Sequence, residues 1–200
     1  MVNIKENQFR KYLIEKKGKS FLEIGCGETG FNFYKNMAGK YTGIDVSNIK
    51  NRPPTFIKQD LELNPKLPFK NKLFDAIIAS DVLGHLNNRH EIMNEIKRVL
   101  KNDGIIIISL PNEFSYQPIW YHIKGINWMG GGSNHGHKYM YDLKSAREYI
   151  EKHLEIVEEK YFYLDGKLEF IRSISQWLAE KNPRWFARNI VYKCKLKKSR

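Results

Sequence analysis

The chain has 200 residues, 42% hydrophobic and 28% charged, an ordinary globular composition with length enough for one domain and a sizeable core. No apolar run approaches the roughly 20 residues of a membrane span, and the first 19 residues are charged throughout, without the apolar core of a signal peptide. Cys26 and Cys194 stand far apart with no partner at metal-ligand spacing, which reads as free thiols in a reducing cytoplasm.

The charge balance is strongly basic, 34 Lys and Arg against 22 Asp and Glu, a net +12. From Lys181 to Arg200 there are eight basic residues and no acid. Such a run suits an anionic partner, nucleic acid included. The plainer reading is a solvated, Lys-rich surface. Only Trp185, Phe186 and Tyr192 interleave with the run as stacking residues.

In chain order, an amphipathic helix opens the sequence, with Phe9, Leu13 and Ile14 at helical spacing and Gly18 near its end. Ser20 to Ile24 reads as a buried strand running into a glycine-rich turn. Phe31 to Ala38 fits a short helix, Tyr41 to Val46 a second strand and Thr55 to Lys58 a third. Phe74 to Ser80 is a fourth strand, apolar enough to be covered on both faces. A helix follows from Arg89 to Lys101, with Ile92, Ile96, Val99 and Leu100 on one face, and Asn102-Asp103-Gly104 stops it. Gly104 to Leu110 is the most apolar strand, ended by Pro111. Alternation of strand and helix over this length argues for a parallel sheet with helices on both faces.

The character then changes. Residues 112–140 are rich in aromatics and glycines and have no clear period, as in a lid or binding loop. Tyr141 to His153 returns to a helix with Asp142 as N-cap. Ile156 to Leu164 and Asn189 to Leu196 read as two late strands forming an antiparallel edge. Between them a helix near Leu168 to Ala179 carries Phe170, Ile174 and Trp177 on one face.

The chemistry begins at Phe21, in F-L-E-I-G-C-G-E-T-G. Gly25, Gly27 and Gly30 form G-x-G-x-x-G directly after a strand and before a helix, the context in which a nucleotide approaches bare backbone. Asp45 ends the next strand, 20 residues after Gly25, where a carboxylate can accept from ribose hydroxyls. Alone, this pattern fits nicotinamide, flavin and methyl-transfer enzymes alike, or an ordinary tight turn.

Further stretches narrow the choice. L-E-I-G-C-G-E-T-G resembles the first motif of class I S-adenosylmethionine-dependent methyltransferases, with Glu23 as the acid two places before the first glycine. Y-T-G-I-D-V-S is similar to that family's second strand and its ribose-binding acid, Asp45. Q-D-L-E is similar to the loop whose acid, here Asp60, meets the adenine amine. F-D-A-I-I-A-S-D-V-L-G-H-L and I-K-R-V-L-K-N-D-G-I-I-I-I-S-L-P-N continue the likeness to Asn112. The resemblance implies a single α/β domain over residues 1–200, with a Rossmann-like, seven-stranded, mostly parallel sheet whose last strand is reversed, an N-terminal helix in 1–19 and a lid or acceptor loop at 112–140.

It implies S-adenosylmethionine as cofactor and S-adenosylhomocysteine as product. Gly25, Cys26 and Gly27 would lie along the methionine part, Asp45 and Val46 by the ribose, and Asp60 and Leu61 by the adenine. Ser80 and Asp81 would face the reacting methyl. The bland reading of each acid is a solvated turn or a helix cap; three in register weigh against it. In this motif Cys26 reads as a backbone contact rather than a nucleophile.

If the acceptor is a hydroxyl, a base must take its proton, and the candidates are His85, after the fourth strand, and His137, in G-G-G-S-N-H-G-H-K-Y. That segment resembles one small-molecule branch of the family, near ubiquinone and menaquinone biosynthesis. His85 reads equally as a residue that packs or caps the next helix. His122 and His135 share the loop, and no third ligand beside His135 and His137 suggests a metal. With S-D-V-L in place of N-P-P-Y or D-P-P-Y, methylation of an exocyclic base amine is disfavoured. The expected activity is O- or C-directed methylation of a small molecule under a lid carrying Trp120, Tyr121 and Trp128. The alternatives are an RNA methyltransferase using the basic tail, an NAD-dependent oxidoreductase, and a non-catalytic module that binds S-adenosylmethionine.

Overall fold

The computed structural model describes residues 4–27, 33–50, 53–125, 136–163 and 169–198. Seven strands form one sheet: β1 (Ser20–Ile24), β2 (Lys40–Asp45), β3 (Thr55–Lys58), β4 (Phe74–Ser80), β5 (Leu100–Pro111), β6 (Glu155–Phe162) and β7 (Asn189–Lys195), in the order β3-β2-β1-β4-β5-β7-β6. The pairings from β3 to β5 are parallel, and β7 runs antiparallel to both β5 and β6. This is the expected seven-stranded sheet with its last strand reversed.

Alternate residues of the strands feed two cores. On one face Leu22, Ile24, Ile77, Ile106 and Ile108 pack with α2 (Arg89–Val99) and α4 (Leu143–His153). On the other Phe21, Tyr41, Ile78, Ile105 and Ile107 meet Phe9, Tyr12 and Leu13 of α1 (Ile4–Leu13) and Tyr34. Full burial of each such side chain contributes roughly 1.5–3 kcal/mol, so two-sided coverage explains why these strands are nearly all apolar. Asp142 caps α4 reciprocally with Ser145, as a short polar side chain at that position should.

Several expectations shift. Ile14 is 68% exposed, because α1 ends at Leu13 and a 3-10 turn rotates Ile14 off the apolar stripe. The helix expected to Lys101 stops at Val99, and Leu100 already pairs with Phe74; the Asn102-Asp103-Gly104 turn is absorbed as an irregular start of β5. Val46 lies just past β2, exposed. Of the helix expected at Phe31 to Ala38, residues 31 and 32 lie outside the described residues, and the chain closes a turn from Tyr34 to Ala38.

Residues 112–140 are not without period. They contain α3 (Tyr116–Ile123), while 126–135, with Trp128 and His135, lie outside the described residues. Helix α5 (Glu169–Lys181) exposes Ile174 and Trp177 of the face expected to carry Phe170, Ile174 and Trp177, the Phe170 side chain lying outside the described residues; a four-residue helix, α6 (Pro183–Phe186), leads into β7. No helix among the described residues is long and apolar enough to cross a membrane.

The far edge of the sheet, away from the glycine turn, is pinned by Asp75 at the start of β4. It accepts from the Ser20 amide at 3.0 Å, the Ser20 hydroxyl at 2.6 Å and Lys101 Nζ at 2.9 Å. Burial alone would raise its pKa, but these donors outweigh burial and hold it down at about 2. A folded pKa below the unfolded one means that the stabilisation is complete above about pH 4 and is lost as pH falls towards 2. Asp75→Asn should therefore lose about 2 kcal/mol at neutral pH. In urea melts its stability should also depend less on pH than the parent's between pH 4 and 2; equal slopes would contradict this role.

Candidate functional site

At the C-terminal edge of β1, β2 and β4 a cavity of about 350 Å³ opens, a size usual for small-molecule sites. Of the residues singled out in the sequence, Gly25, Asp45, Val46, Asp60, Leu61 and His85 line it. Glu23, Cys26, Gly27, Ser80, Asp81 and His137 do not.

The glycine turn has a specific geometry. Gly25 has φ +68° and Gly27 φ +51°, and a Cβ on Gly25 would come within 2.9 Å of Val82 Cγ2. The amides of Gly25 and Cys26 both donate to Ile44 O, at 2.8 and 3.2 Å, and that of Gly27 to Asp45 Oδ2 at 2.9 Å. The N–H groups of Gly25, Cys26 and Gly27 are thus spent on β2, and Gly30, the third glycine of the pattern, lies outside the described residues. Asp45 also accepts from Ser47 N at 2.8 Å, yet each oxygen keeps a lone pair for a ligand hydroxyl. Asp60 Oδ1 closes a turn onto Glu62 N at 2.9 Å.

Asp45, Asp60 and Glu62 set three carboxylates around the cavity against one ammonium, Lys138, which Glu62 Oε1 holds at 2.8 Å. That balance repels a pyrophosphate and favours a ligand carrying positive charge. Carboxylates for hydroxyls and an amine, with Leu61, Val82 and Leu86 for a ring, suit a cationic nucleoside. S-adenosylmethionine fits this donor set.

The Glu23 side chain is turned away from the cavity, and the Cys26 thiol, for which only a backbone contact was expected, is buried. Glu23 is 3% exposed on the opposite face of β1 and accepts from the Tyr41 hydroxyl; burial, with Glu6 and Asp45 nearby, raises its pKa. The Cys26 thiol packs where Gly43 leaves room, since a Cβ at Gly43 would lie 2.8 Å from Cys26 Sγ. Burial pushes its pKa up to about 12, so it stays a neutral thiol.

Ser80 and Asp81 end β4 under α1. Lys5 Nζ bonds both, and Asp81 Oδ1 also accepts from Ser109 Oγ at 2.8 Å and Asn189 Nδ2 at 2.7 Å. Burial opposes ionisation of Asp81, but the Lys5 charge and these donors outweigh it and keep the carboxyl below its usual range. Its φ of +54° is a left-handed conformation held by the surrounding bonds.

His85 and His137 come together although 52 positions apart, with ring centroids 4.5 Å apart. The segment after His137 docks on the turn that carries His85, Lys138 N and Tyr139 N donating to Gly84 O at 2.8 and 3.2 Å. Behind His137 stands a residue that sequence reasoning missed: Glu113 Oε1 lies 2.5 Å from His137 Nδ1, its side chain 2% exposed. The bond to Glu113 raises the imidazole pKa; burial opposes it, and the charges of Glu113 and Asp81 add to the rise. His122 instead faces its own helix, 2.7 Å from Pro118 O. Among the described residues no group of three or more His, Cys, Asp or Glu could hold a metal ion.

The reversed sheet and its edge cavity define an α/β methyltransferase domain, and comparison bears this out. A family model described as a methyltransferase domain matches residues 6–155. The chain belongs to this family, the class I S-adenosylmethionine-dependent methyltransferases, whose cofactor is S-adenosylmethionine.

Among curated relatives, the ubiquinone biosynthesis O-methyltransferase of Glaesserella parasuis is 33% identical over an alignment covering 48% of this chain and 46% of that one. The sarcosine/dimethylglycine N-methyltransferase of Aphanothece halophytica is 32% identical, over 47% of this chain and 38% of that one. The chain spans less than half the length of the curated relatives it matches. In fold it is similar to a SAM-dependent methyltransferase of Archaeoglobus fulgidus, with a TM-score of 0.64, 22% identity and coverage of 95% of this chain and 92% of that one. The Burkholderia thailandensis 1,6-didemethyltoxoflavin-N1-methyltransferase, solved with S-adenosylhomocysteine, is likewise similar at TM-score 0.65 and 11% identity, over 98% of this chain and 80% of that one.

Asp45→Ala leaves a ligand's hydroxyls without an acceptor, a loss of roughly 1–3 kcal/mol. Calorimetric titration with S-adenosylmethionine should show binding weakened about 5- to 150-fold. Parental affinity in that variant would contradict this placement of the ribose.

Proposed function

We propose that this chain transfers a methyl group from S-adenosylmethionine to an oxygen or an activated carbon of a small molecule. The observation that carries the reading is His137, backed by the buried Glu113 and packed against His85, which lines the cavity. An imidazole oriented by a carboxylate is a proton acceptor, and an acceptor hydroxyl or acidic C–H needs one as it is methylated. Amine methylation needs no base as strong. Both the O-methyltransferase and the toxoflavin-precursor enzyme among the similar proteins act on small molecules by name.

When bound, S-adenosylmethionine supplies an electrophilic methyl on a sulfonium. Asp45 and Val46, which line the cavity, would hold its ribose, and Asp60 and Leu61 its adenine. His137 Nε2 takes the acceptor's proton, and Glu113 fixes the ring and stabilises the imidazolium. His85 packs the imidazole against the cavity wall. Ser80 and Asp81, bonded to Lys5 outside the cavity lining, fix the end of β4 from which the turn carrying His85 starts. Proximity and alignment supply most of the acceleration, on the order of 7–11 kcal/mol.

The RNA reading loses its main support from the course of β7. That strand starts beside Pro111 at the site edge and ends at Lys195, paired with Glu155 at the opposite edge. Lys195, Lys197 and Lys198 are therefore remote from the cavity, and Lys193 is paired with Glu15 at 3.1 Å. A binding-only module would share the cavity but has no use for a buried glutamate behind His137.

His137→Ala should lower turnover of an O-directed acceptor about 10²- to 10⁴-fold while cofactor affinity stays at the parental value. Unchanged turnover would sink the assignment. The base works deprotonated, so the acid limb of the parent's rate profile should lie above histidine's ordinary 6.5. Glu113→Gln should move that limb to lower pH and reduce the plateau; a profile that does not move removes Glu113 from the mechanism.

A further inference from the structure

Helices α3 and α6 form an apolar surface that the site does not use. Tyr116, Ile119, Trp120 and Ile123 of α3 line a groove with Trp185 of α6. Ile123 is 71% exposed, Trp120 54% and Trp185 45%, well beyond the scattered apolar exposure of an ordinary surface. Cations flank it: Lys124 Nζ stands 4.9 Å from the Trp120 ring, and the Arg184 guanidinium 5.8 Å from that of Trp185. Neither residues 116–124 nor 182–188 contain an acid.

We propose that this face docks on an anionic lipid bilayer. Indoles and long basic side chains sit together at the level of lipid headgroups, and aliphatic residues between them enter the acyl boundary. Charge complementarity selects acidic lipids. Single-stranded nucleic acid fits less well, because Ile119 and Ile123 interrupt the indoles with aliphatic surface that offers no stacking. The placement is useful. Asn112 Nδ2 donates to Ala187 O at 2.8 Å and Arg184 O at 3.3 Å, which fastens α6 beside the end of β5, one residue from Glu113. The docking face therefore borders the edge that carries the cavity.

The test is sedimentation of the full chain with vesicles of phosphatidylcholine alone and of phosphatidylcholine mixed with phosphatidylglycerol. Binding is expected to the mixed vesicles only, with a blue shift of indole emission and weakening by salt. W120S/W185S should abolish it, and K124E/R184E should weaken it roughly fivefold per charge. K197E/K198E, at the opposite edge, should leave it unchanged. Circular dichroism and titration with S-adenosylhomocysteine show that each variant is folded with its cavity intact, which separates this proposal from the catalytic one. Equal or absent binding to both vesicles overturns the proposal, as does loss in K197E/K198E with retention in W120S/W185S. Quenching by single-stranded oligouridine without vesicle binding assigns the face to nucleic acid and overturns it too.

Discussion

Four chain segments meet at the carboxylate of Asp81. Lys5 reaches it from α1, Ser109 from β5 and Asn189 from β7, while Asp81 itself ends β4 in a left-handed conformation. The Asp81 side chain keeps one-third of its surface exposed, and on its inner side the charge is paired with Lys5 and the lone pairs are filled by Ser109 and Asn189. Once filled, it fixes where β4 stops, how the reversed strand sits against β5 and where α1 lies over the sheet. The 3-10 turn that presents His85 begins two residues later, so the site inherits its geometry from this knot.

Strand β4 carries an aspartate near each end, and the two do different work. Asp75 joins Ser20 and Lys101 at the edge remote from the cavity, where nothing else in the site depends on it. Asp81 stands at the edge where parallel strands leave ligands a crevice. Around that crevice the chemistry is consistent. Backbone amides of the glycine turn are consumed by β2, acids outnumber the one ammonium, and a buried glutamate sits behind a histidine. Each feature disfavours a phosphate-bearing cofactor or suits a cationic one with a proton to remove nearby.

Much of this was legible in the chain. Strands buried on both faces announce themselves as unbroken apolar runs, and β1, β3 and β4 begin and end where their composition changes. The glycine turn, Asp45 and Asp60 are local patterns, readable because their function depends on spacing along the chain. What escaped depends on contacts distant in sequence. Glu113 looks like an acid in a loop until the segment at His137 folds back over Gly84. Lys5 lies on the stripe of α1 that also carries Phe9 and Tyr12, where a buried lysine could have been suspected, but its partner is 76 positions away. Glu23 fits the motif, yet strand alternation turns it from the cavity to Tyr41. Ile174 and Trp177 have the period of a buried face and are exposed, because periodicity cannot say whether a partner exists.

The most direct test of the account is calorimetric titration of the purified chain with S-adenosylhomocysteine and, separately, with NAD. Micromolar binding of S-adenosylhomocysteine and no heat from NAD is the predicted result, since only a nucleoside without phosphate suits three carboxylates and spent backbone amides. Binding of NAD, or of neither ligand, would contradict the reading of this cavity as the methyl-donor site.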